Sequence, residues 1–180
     1  MTGQRGDDPI KPKVGLSGRK IIYDEDGKPC RSCNSLLDFQ LATGKISMPS
    51  PGKPPAVKVA APAKQNTPVG YPKVDPPDVE ELGRSSWTLL HSIAAKYPQK
   101  PNDTQKGEMK QFMTIFSHVY PCWWCAKDFE KFIRENSPKV DSREELGKWM
   151  CEAHNSVNKK LGKKAFDCNL WEKRWRDGWD

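Results

Sequence analysis

The chain has 180 residues, 30 Lys and Arg against 23 Asp and Glu for a formal net charge of +7, and only 36% hydrophobic residues. No apolar run approaches the ~20 residues that a membrane span needs, and the opening "MTGQRGDDPI" is too acidic and polar for a signal or transit peptide. Split at residue 75, the charge falls as 12 basic against 7 acidic residues before it and 18 against 16 after it, so the excess is a basic arm. That arm lacks the interleaved aromatics of a single-strand binder, and no zinc-finger or RNA-binding signature occurs, which argues against nucleic acid.

In chain order, residues 1–48 form a tail that carries "GKPCRSCNSLLDF", with Cys30 and Cys33 three apart. Residues 49–77 hold 9 of the 16 prolines, no aromatic but Tyr71, and no helical or alternating period, as expected of an extended linker. From residue 76 onward the apolar residues recur at three and four, which predicts helices. The first opens at "PPDVEE", where Asp78 and Glu81 make an Asp variant of a capping box, and its core face is Leu82, Leu89, Leu90, Ile93 and Tyr97. A second, near 103–119, sets Met109, Phe112, Met113, Phe116 and either Val119 or Tyr120 on one side. A third starts at Pro121, which suits a first helical position, and places Cys122 in its first turn, with Cys125, Phe129, Phe132 and Ile133 following at helical spacing. A fourth begins with the capping box Ser142–Glu145 and stops at Gly162, and a short fifth carries Trp171, Trp175 and Trp179 at steps of four. The fold class is therefore all-α: a four-helix bundle over 78–180 with a short fifth helix, preceded by a largely disordered amino-terminal tail. No "GxGxxG" follows a strand, and the βαβ setting of a thioredoxin dithiol is missing.

Six cysteines need an account. Cys122 and Cys125, in "YPCWWCAKDF", can be half of a zinc site, a redox-active dithiol, or two small core residues. At a helix start the unpaired N–H groups favour a thiolate. Cys122 is read as the exposed sulfur and Cys125, on the side of Phe129 and Phe132, as the one facing the core. Cys30 and Cys33 could complete a four-cysteine zinc site, although 88 residues separate Cys33 from Cys122, a poor spacing for a compact metal unit. Cys151 and Cys168 are either free buried thiols or a bridge that clips the terminal helix to the bundle, and the bridge is favoured because so short a helix is marginal alone.

Two polar stripes stand beside these pairs. Gly83, Trp87 and His91 are four apart on the first helix with Arg84 adjacent, off its leucine face; Cys151, His154, Asn155 and Asn158 form a second on the fourth. Any one of these is ordinarily a solvent-facing or satisfied residue. As a set beside a dithiol they would suit a flat, polar-edged cofactor between helices.

These residues carry a resemblance. "LGRSSWTLLHS", "YPCWWCAKDF", "CEAHNSVNKKLGK" and "DCNLWEKRWRDGW" are similar, in order and spacing, to the FAD-linked sulfhydryl oxidases of the Erv and augmenter-of-liver-regeneration family, and "GRKIIYDEDGKPCRSCNSLLDFQ" resembles the amino-terminal segment of its fungal mitochondrial members. The resemblance spans residues 18–40 and 76–180. It implies a homodimeric helical thiol oxidase that binds FAD non-covalently in the mitochondrial intermembrane space. Its partners there would be a disulfide carrier protein as substrate and oxygen or cytochrome c as electron acceptor. Carried over by motif, Gly83, Arg84, Trp87, His91, Cys151, His154, Asn155, Val157, Asn158, Lys160, Lys163, Arg174 and Trp175 would bind FAD. Cys122 and Cys125 would be the dithiol beside the flavin, Cys30 and Cys33 a shuttle on a flexible arm, and Cys151–Cys168 the structural bridge. No metal is implied.

Overall fold

The computed structural model describes residues 12–48 and 74–179, and the chain divides into two compact units at Asp78/Val79. Each unit is built on its own logic.

The first unit holds more local structure than its composition announces. Two chain reversals turn on glycines with positive φ, Gly18 (75°) and Gly27 (71°), a region costly for residues with a Cβ. Each is closed by an isolated bridge, Val14 to Lys20 and Tyr23 to Pro29. A short 3-10 turn, Arg31–Cys33, leads into α1, Leu36–Ala42, whose N-cap Ser35 accepts from the Asp38 N–H at 3.3 Å. Asp38 is buried, and its carboxylate accepts from the Ser17 N–H (3.0 Å) and the Ser17 hydroxyl, which ties the first reversal to α1. Gly15 is needed there, since a Cβ would run into the Asp38 carboxyl. Asn34, also buried, accepts from the Ile22 N–H (2.9 Å) and donates to the Ile22 carbonyl (2.7 Å), filling both bonds of one backbone residue.

The second unit is the expected bundle: α2 (Val79–Lys96), α3 (Asp103–Val119), α4 (Trp123–Glu135) and α5 (Arg143–Lys160). The α3 start is a reciprocal box between Asn102 and Gln105, and at α5 the Ser142 hydroxyl accepts from the Glu145 N–H at 3.1 Å. Gly162, at φ 68°, ends α5 as expected. The core is Leu90, Ala94, Tyr97, Met113, Val140, Leu146, Trp149 and Met150, with Phe112, Phe116, Phe129, Phe132 and Ile133 packed around it. Its polar edges are satisfied: the Tyr97 hydroxyl donates to the Val140 carbonyl (3.0 Å) and the Trp149 indole to the Asn136 carbonyl (2.9 Å).

Three expectations change. Leu89, placed on the core face of α2, is 54% exposed; Leu90 and Tyr97 keep that face and Ala94 joins them. Of Val119 and Tyr120, it is Tyr120 that packs, 5.3 Å from the Phe116 ring, while Val119 is exposed. The terminal segment is a 3-10 turn, Cys168–Leu170, and a π turn, Lys173–Asp177, closed by a bond from the Gly178 N–H to the Lys173 carbonyl at 3.0 Å. Trp179 lies beyond Gly178, whose φ of 91° ends the turn. Trp171 is buried, Trp175 half-buried and Trp179 exposed. The buried Trp171 lies against Gly147 of α5, where a Cβ would come within 2.5 Å of the indole ring.

Candidate active site

The six cysteines form three disulfides, Cys30–Cys33, Cys122–Cys125 and Cys151–Cys168, and no free cysteine is left. The zinc alternative needs thiolates, and every sulfur here is already bonded to another.

Cys122 is the N-cap of α4 rather than a first-turn residue: Pro121 lies outside the helix, and the Cys122 sulfur accepts from the Cys125 N–H at 3.2 Å. Capping turns that sulfur inward. Cys122 is fully buried and Cys125 half-exposed, the reverse of the exposure read from helical spacing. The argument that Cys122 is the entry sulfur because it is exposed therefore falls. Trp123 stands edge-on to Trp124 at 5.5 Å, and its Nε1 is buried with no hydrogen-bond partner among the described residues.

One turn beyond Cys125 on α4, the Phe129 ring meets Trp87 of α2 edge-to-face at 6.3 Å. Trp87 opens an aromatic stack that joins three elements. It lies parallel to His154 of α5 (4.2 Å, 4°), and His91 lies parallel to Trp175 of the π turn (4.2 Å, 3°). The two imidazoles are linked through His91 Nε2 and His154 Nδ1 at 3.0 Å. Burial lowers the His91 pKa to about 3, with His154 and Arg174 adding to the effect; burial, Lys163 and Arg174 lower that of His154 to about 4. Both rings are neutral near pH 7, and their shared bond uses one donor and one acceptor nitrogen.

The stripe on α2 is thus assembled, with a further clue at Gly83: a Cβ there would meet no atom within 4 Å, so packing within the chain does not require the glycine. Arg84 is exposed and reaches Glu80 at 4.0 Å. Arg174 stacks on Trp175 at 4.2 Å at the rim of the cluster. Lys163 follows the end of α5, its N–H donating to the Asn158 carbonyl at 2.8 Å, and its charge helps to lower the His154 pKa. Val157 is half-buried on α5.

Other expected site residues are engaged elsewhere. Asn155 accepts from the Phe166 N–H (2.8 Å), donates to the Phe166 carbonyl (2.8 Å) and lies 3.3 Å from the Cys168 sulfur; its amide holds the loop of the Cys151–Cys168 bridge. Asn158 donates to Asn155 at 3.4 Å. The Lys160 ammonium pairs with Asp128 of α4 and covers the Trp124 ring at 5.3 Å. Phe129 and Asp128 are the residues that the sequence reading did not assign to the site. The only signal for Phe129 was its place one turn after Cys125, which also fits a core residue.

A bundle that sets a disulfide at a helix start, one ring away from a half-buried stack of indoles and neutral imidazoles, has the layout of a thiol–disulfide redox protein. A model of the Erv1 / Alr family matches residues 84–176, and the chain belongs to that family. It is 70% identical over 177 residues to the mitochondrial FAD-linked sulfhydryl oxidase ERV1 of Saccharomyces cerevisiae, covering 94% of each chain. It is 43% identical over 168 residues to the protein of the same description in Schizosaccharomyces pombe, covering 86% of this chain and 90% of that one. Among solved structures it is similar to the yeast Erv1 core, with 74% identity and a TM-score of 0.62 over 66% of this chain and all of the other.

Proposed function

We propose that the chain is a mitochondrial FAD-linked sulfhydryl oxidase that makes disulfides in protein substrates. The observation that carries this is the path Cys122–Cys125, Phe129, Trp87, His154: a dithiol held one ring away from a neutral, aromatic-walled site at the meeting of α2, α5 and the π turn.

The residues fit FAD. Trp87, His91, His154 and Trp175 offer flat faces and uncharged polar edges to its rings. Gly83 leaves room along α2, and Arg174 at the rim and Lys163 past the end of α5 offer the cations that a pyrophosphate needs. Arg84 on α2 and Cys151, Val157, Asn158 and Lys160 on α5 join this set by the family's motif, while Asn155 serves by fixing the Phe166 loop. When bound, FAD supplies the two-electron acceptor that a dithiol lacks and returns those electrons to oxygen or to a one-electron carrier such as cytochrome c.

The protein's own part is thiol–disulfide exchange. A substrate thiolate opens Cys30–Cys33 into a mixed disulfide, and the substrate's second thiolate resolves it, leaving substrate oxidised and Cys30/Cys33 reduced. The reduced pair then opens Cys122–Cys125 by the same chemistry. The α4 N-terminus supports the sulfur anion released there, because its unpaired N–H groups point at it. His91 and His154, kept uncharged by burial, hold the aromatic walls parallel without adding a positive charge. Cys151–Cys168 stays oxidised as the clip on the terminal segment.

The finer reading places the enzyme in the intermembrane space, where a disulfide carrier protein is its substrate, and makes it a homodimer. Exposed apolar side chains on α2 and α3 (Leu89, Ile115, Val119) support the last point, being of the kind an interface covers. Residues 1–48 act as the shuttle segment, 49–77 as its linker and 78–180 as the oxidase domain.

The test separates the two dithiols. Cys33→Ser should stop oxidation of a protein dithiol yet leave oxidation of dithiothreitol, which can reach Cys122–Cys125 directly. Cys125→Ser should stop both in protein that remains yellow. Oxidation of dithiothreitol by Cys125→Ser at near the parent rate refutes the assignment.

A further inference from the structure

A cavity of about 490 Å³ opens beside the Cys30–Cys33 disulfide in the first unit. Cys30 lines it and is half-exposed, whereas Cys33 is buried and absent from its wall. The other walls include Asp24, Lys28, Arg31 and Phe39. This volume takes a residue or two of peptide rather than a protein surface, and its charge is uneven.

The Asp24 carboxylate is already engaged by the Lys28 backbone N–H at 2.7 Å, closing the reversal around Gly27. The Lys28 ammonium has no ion pair among the described residues. Arg31 lies over the Phe39 ring at 5.2 Å and donates from one nitrogen to the Pro76 carbonyl at 2.5 Å, while its Nη1 is buried with no acceptor among the described residues. Two cations on one wall, one lacking an ion pair and the other an acceptor, present a demand for a carboxylate that the fold does not meet.

We propose that this cavity selects protein dithiols in which an acidic residue adjoins the attacking cysteine, its carboxylate seated between Lys28 and Arg31. The proposal rests on the thiol-oxidase reading and adds to it a substrate class. With the carboxylate placed, the neighbouring thiolate meets Cys30, the only sulfur of the pair on the cavity wall. It forms a bond to the Cys30 sulfur as the Cys30–Cys33 bond breaks, and Cys33 leaves as a thiolate that takes a proton from water. The substrate's second thiolate then attacks its own sulfur in the mixed disulfide and releases Cys30 as a thiolate. Two electrons pass from substrate to Cys30/Cys33, and a disulfide forms in the substrate.

The test uses full-length, flavin-loaded protein and two end-capped reduced peptides, Asp-Cys-Gly-Gly-Cys-Gly and Asn-Cys-Gly-Gly-Cys-Gly. The readout is the ratio of their kcat/KM values by oxygen consumption, taken within each variant so that shared losses cancel. The parent should prefer the Asp peptide by about five- to tenfold at low salt, less as salt rises. Lys28→Gln with Arg31→Gln should bring the ratio to about one. Should Arg31 variants fail to fold, exposed Lys28 alone suffices: Lys28→Glu should shift preference toward a Lys-Cys-Gly-Gly-Cys-Gly peptide. A parent ratio near one, or a ratio unchanged in the Lys28 and Arg31 variants, overturns the proposal. Cys33→Ser tells the two readings apart. If it still oxidises the peptides at the parent rate, they bypass Cys30/Cys33 as dithiothreitol does and the cavity proposal falls; if it also oxidises a protein dithiol at the parent rate, the relay itself falls. If it stops them while the parent shows no charge preference, only the cavity proposal falls.

Discussion

Acidification from pH 7 to pH 5 should destabilise the oxidase domain through its paired histidines. In the unfolded chain each imidazole titrates near the ordinary value of 6.5; in the folded domain His91 is held at about 3 and His154 at about 4. Between these limits the unfolded state binds protons that the folded state refuses, so stability is intact above 6.5 and falls as the pH drops below it. For His91 the loss at pH 5 is about 2 kcal/mol; half-exposed His154 is discounted to about 1 kcal/mol. The sum, about 3 kcal/mol, is a sizeable share of the 5–15 kcal/mol typical of a folded domain. The carboxylates held low by ion pairing, Asp141, Glu144 and Asp177, are exposed and begin to take up protons in the unfolded chain only near the bottom of this window, so they add little to the slope beside the imidazoles. The assay is the urea midpoint at the two pH values with the m-value held constant, in parent and in His91→Gln/His154→Asn. The variant should lose most of the pH dependence. An equal fall in midpoint for parent and variant refutes the argument, because something other than the imidazole pair would then be taking up the protons.

Three further outcomes are expected. Cys168→Ala, which opens a bridge spanning 17 residues, should lower stability by about 3 kcal/mol by thermal denaturation, while flavin-loaded protein keeps turning over at low temperature. Gly147→Ala drives a Cβ against the Trp171 ring and should cost about 1–3 kcal/mol, with loss of the near-ultraviolet signal of a packed indole; adding Trp171→Leu should recover part of that loss. His91→Ala removes one member of the stack and should weaken FAD retention, read by equilibrium dialysis, more than it lowers helix content by circular dichroism.

The bundle was legible because its signals are local: Asp78 marks the approach to α2, Ser142 and Glu145 open α5, and Gly162 closes it. The pairing of all six cysteines followed from a resemblance, since spacing alone left the zinc and free-thiol readings open. What escaped were the directions of side chains, which depend on partners distant in sequence. Leu89 and Leu90 are equivalent to any hydrophobicity pattern, and only the approach of α5 decides which is covered. Trp175 reaches His91 through a π turn that a repeat of four conceals. The burial of Cys122 depends on its being a cap rather than a first-turn residue, a shift of one position that ±2-residue boundary uncertainty absorbs. Asn155 shares a polar stripe with His154 but serves the Phe166 loop, and a stripe does not say which neighbour each amide faces.

Asn34 and Asn155 do the same job in the two units, each using both ends of its amide to occupy one backbone residue beside a disulfide. Each is followed by serine, a pairing in which the next backbone nitrogen readily attacks the side-chain amide when the chain is free to flex. In the folded units both amides are immobilised, so ageing by deamidation is confined to unfolded or newly made chains. Its consequence there is specific: aspartate in place of Asn155 would set a carboxylate oxygen against the Phe166 carbonyl where a donor is needed, and in place of Asn34 would do so against Ile22. A chain that lingers unfolded before its disulfides close therefore risks losing, by slow chemistry, the two pins that hold the closed form.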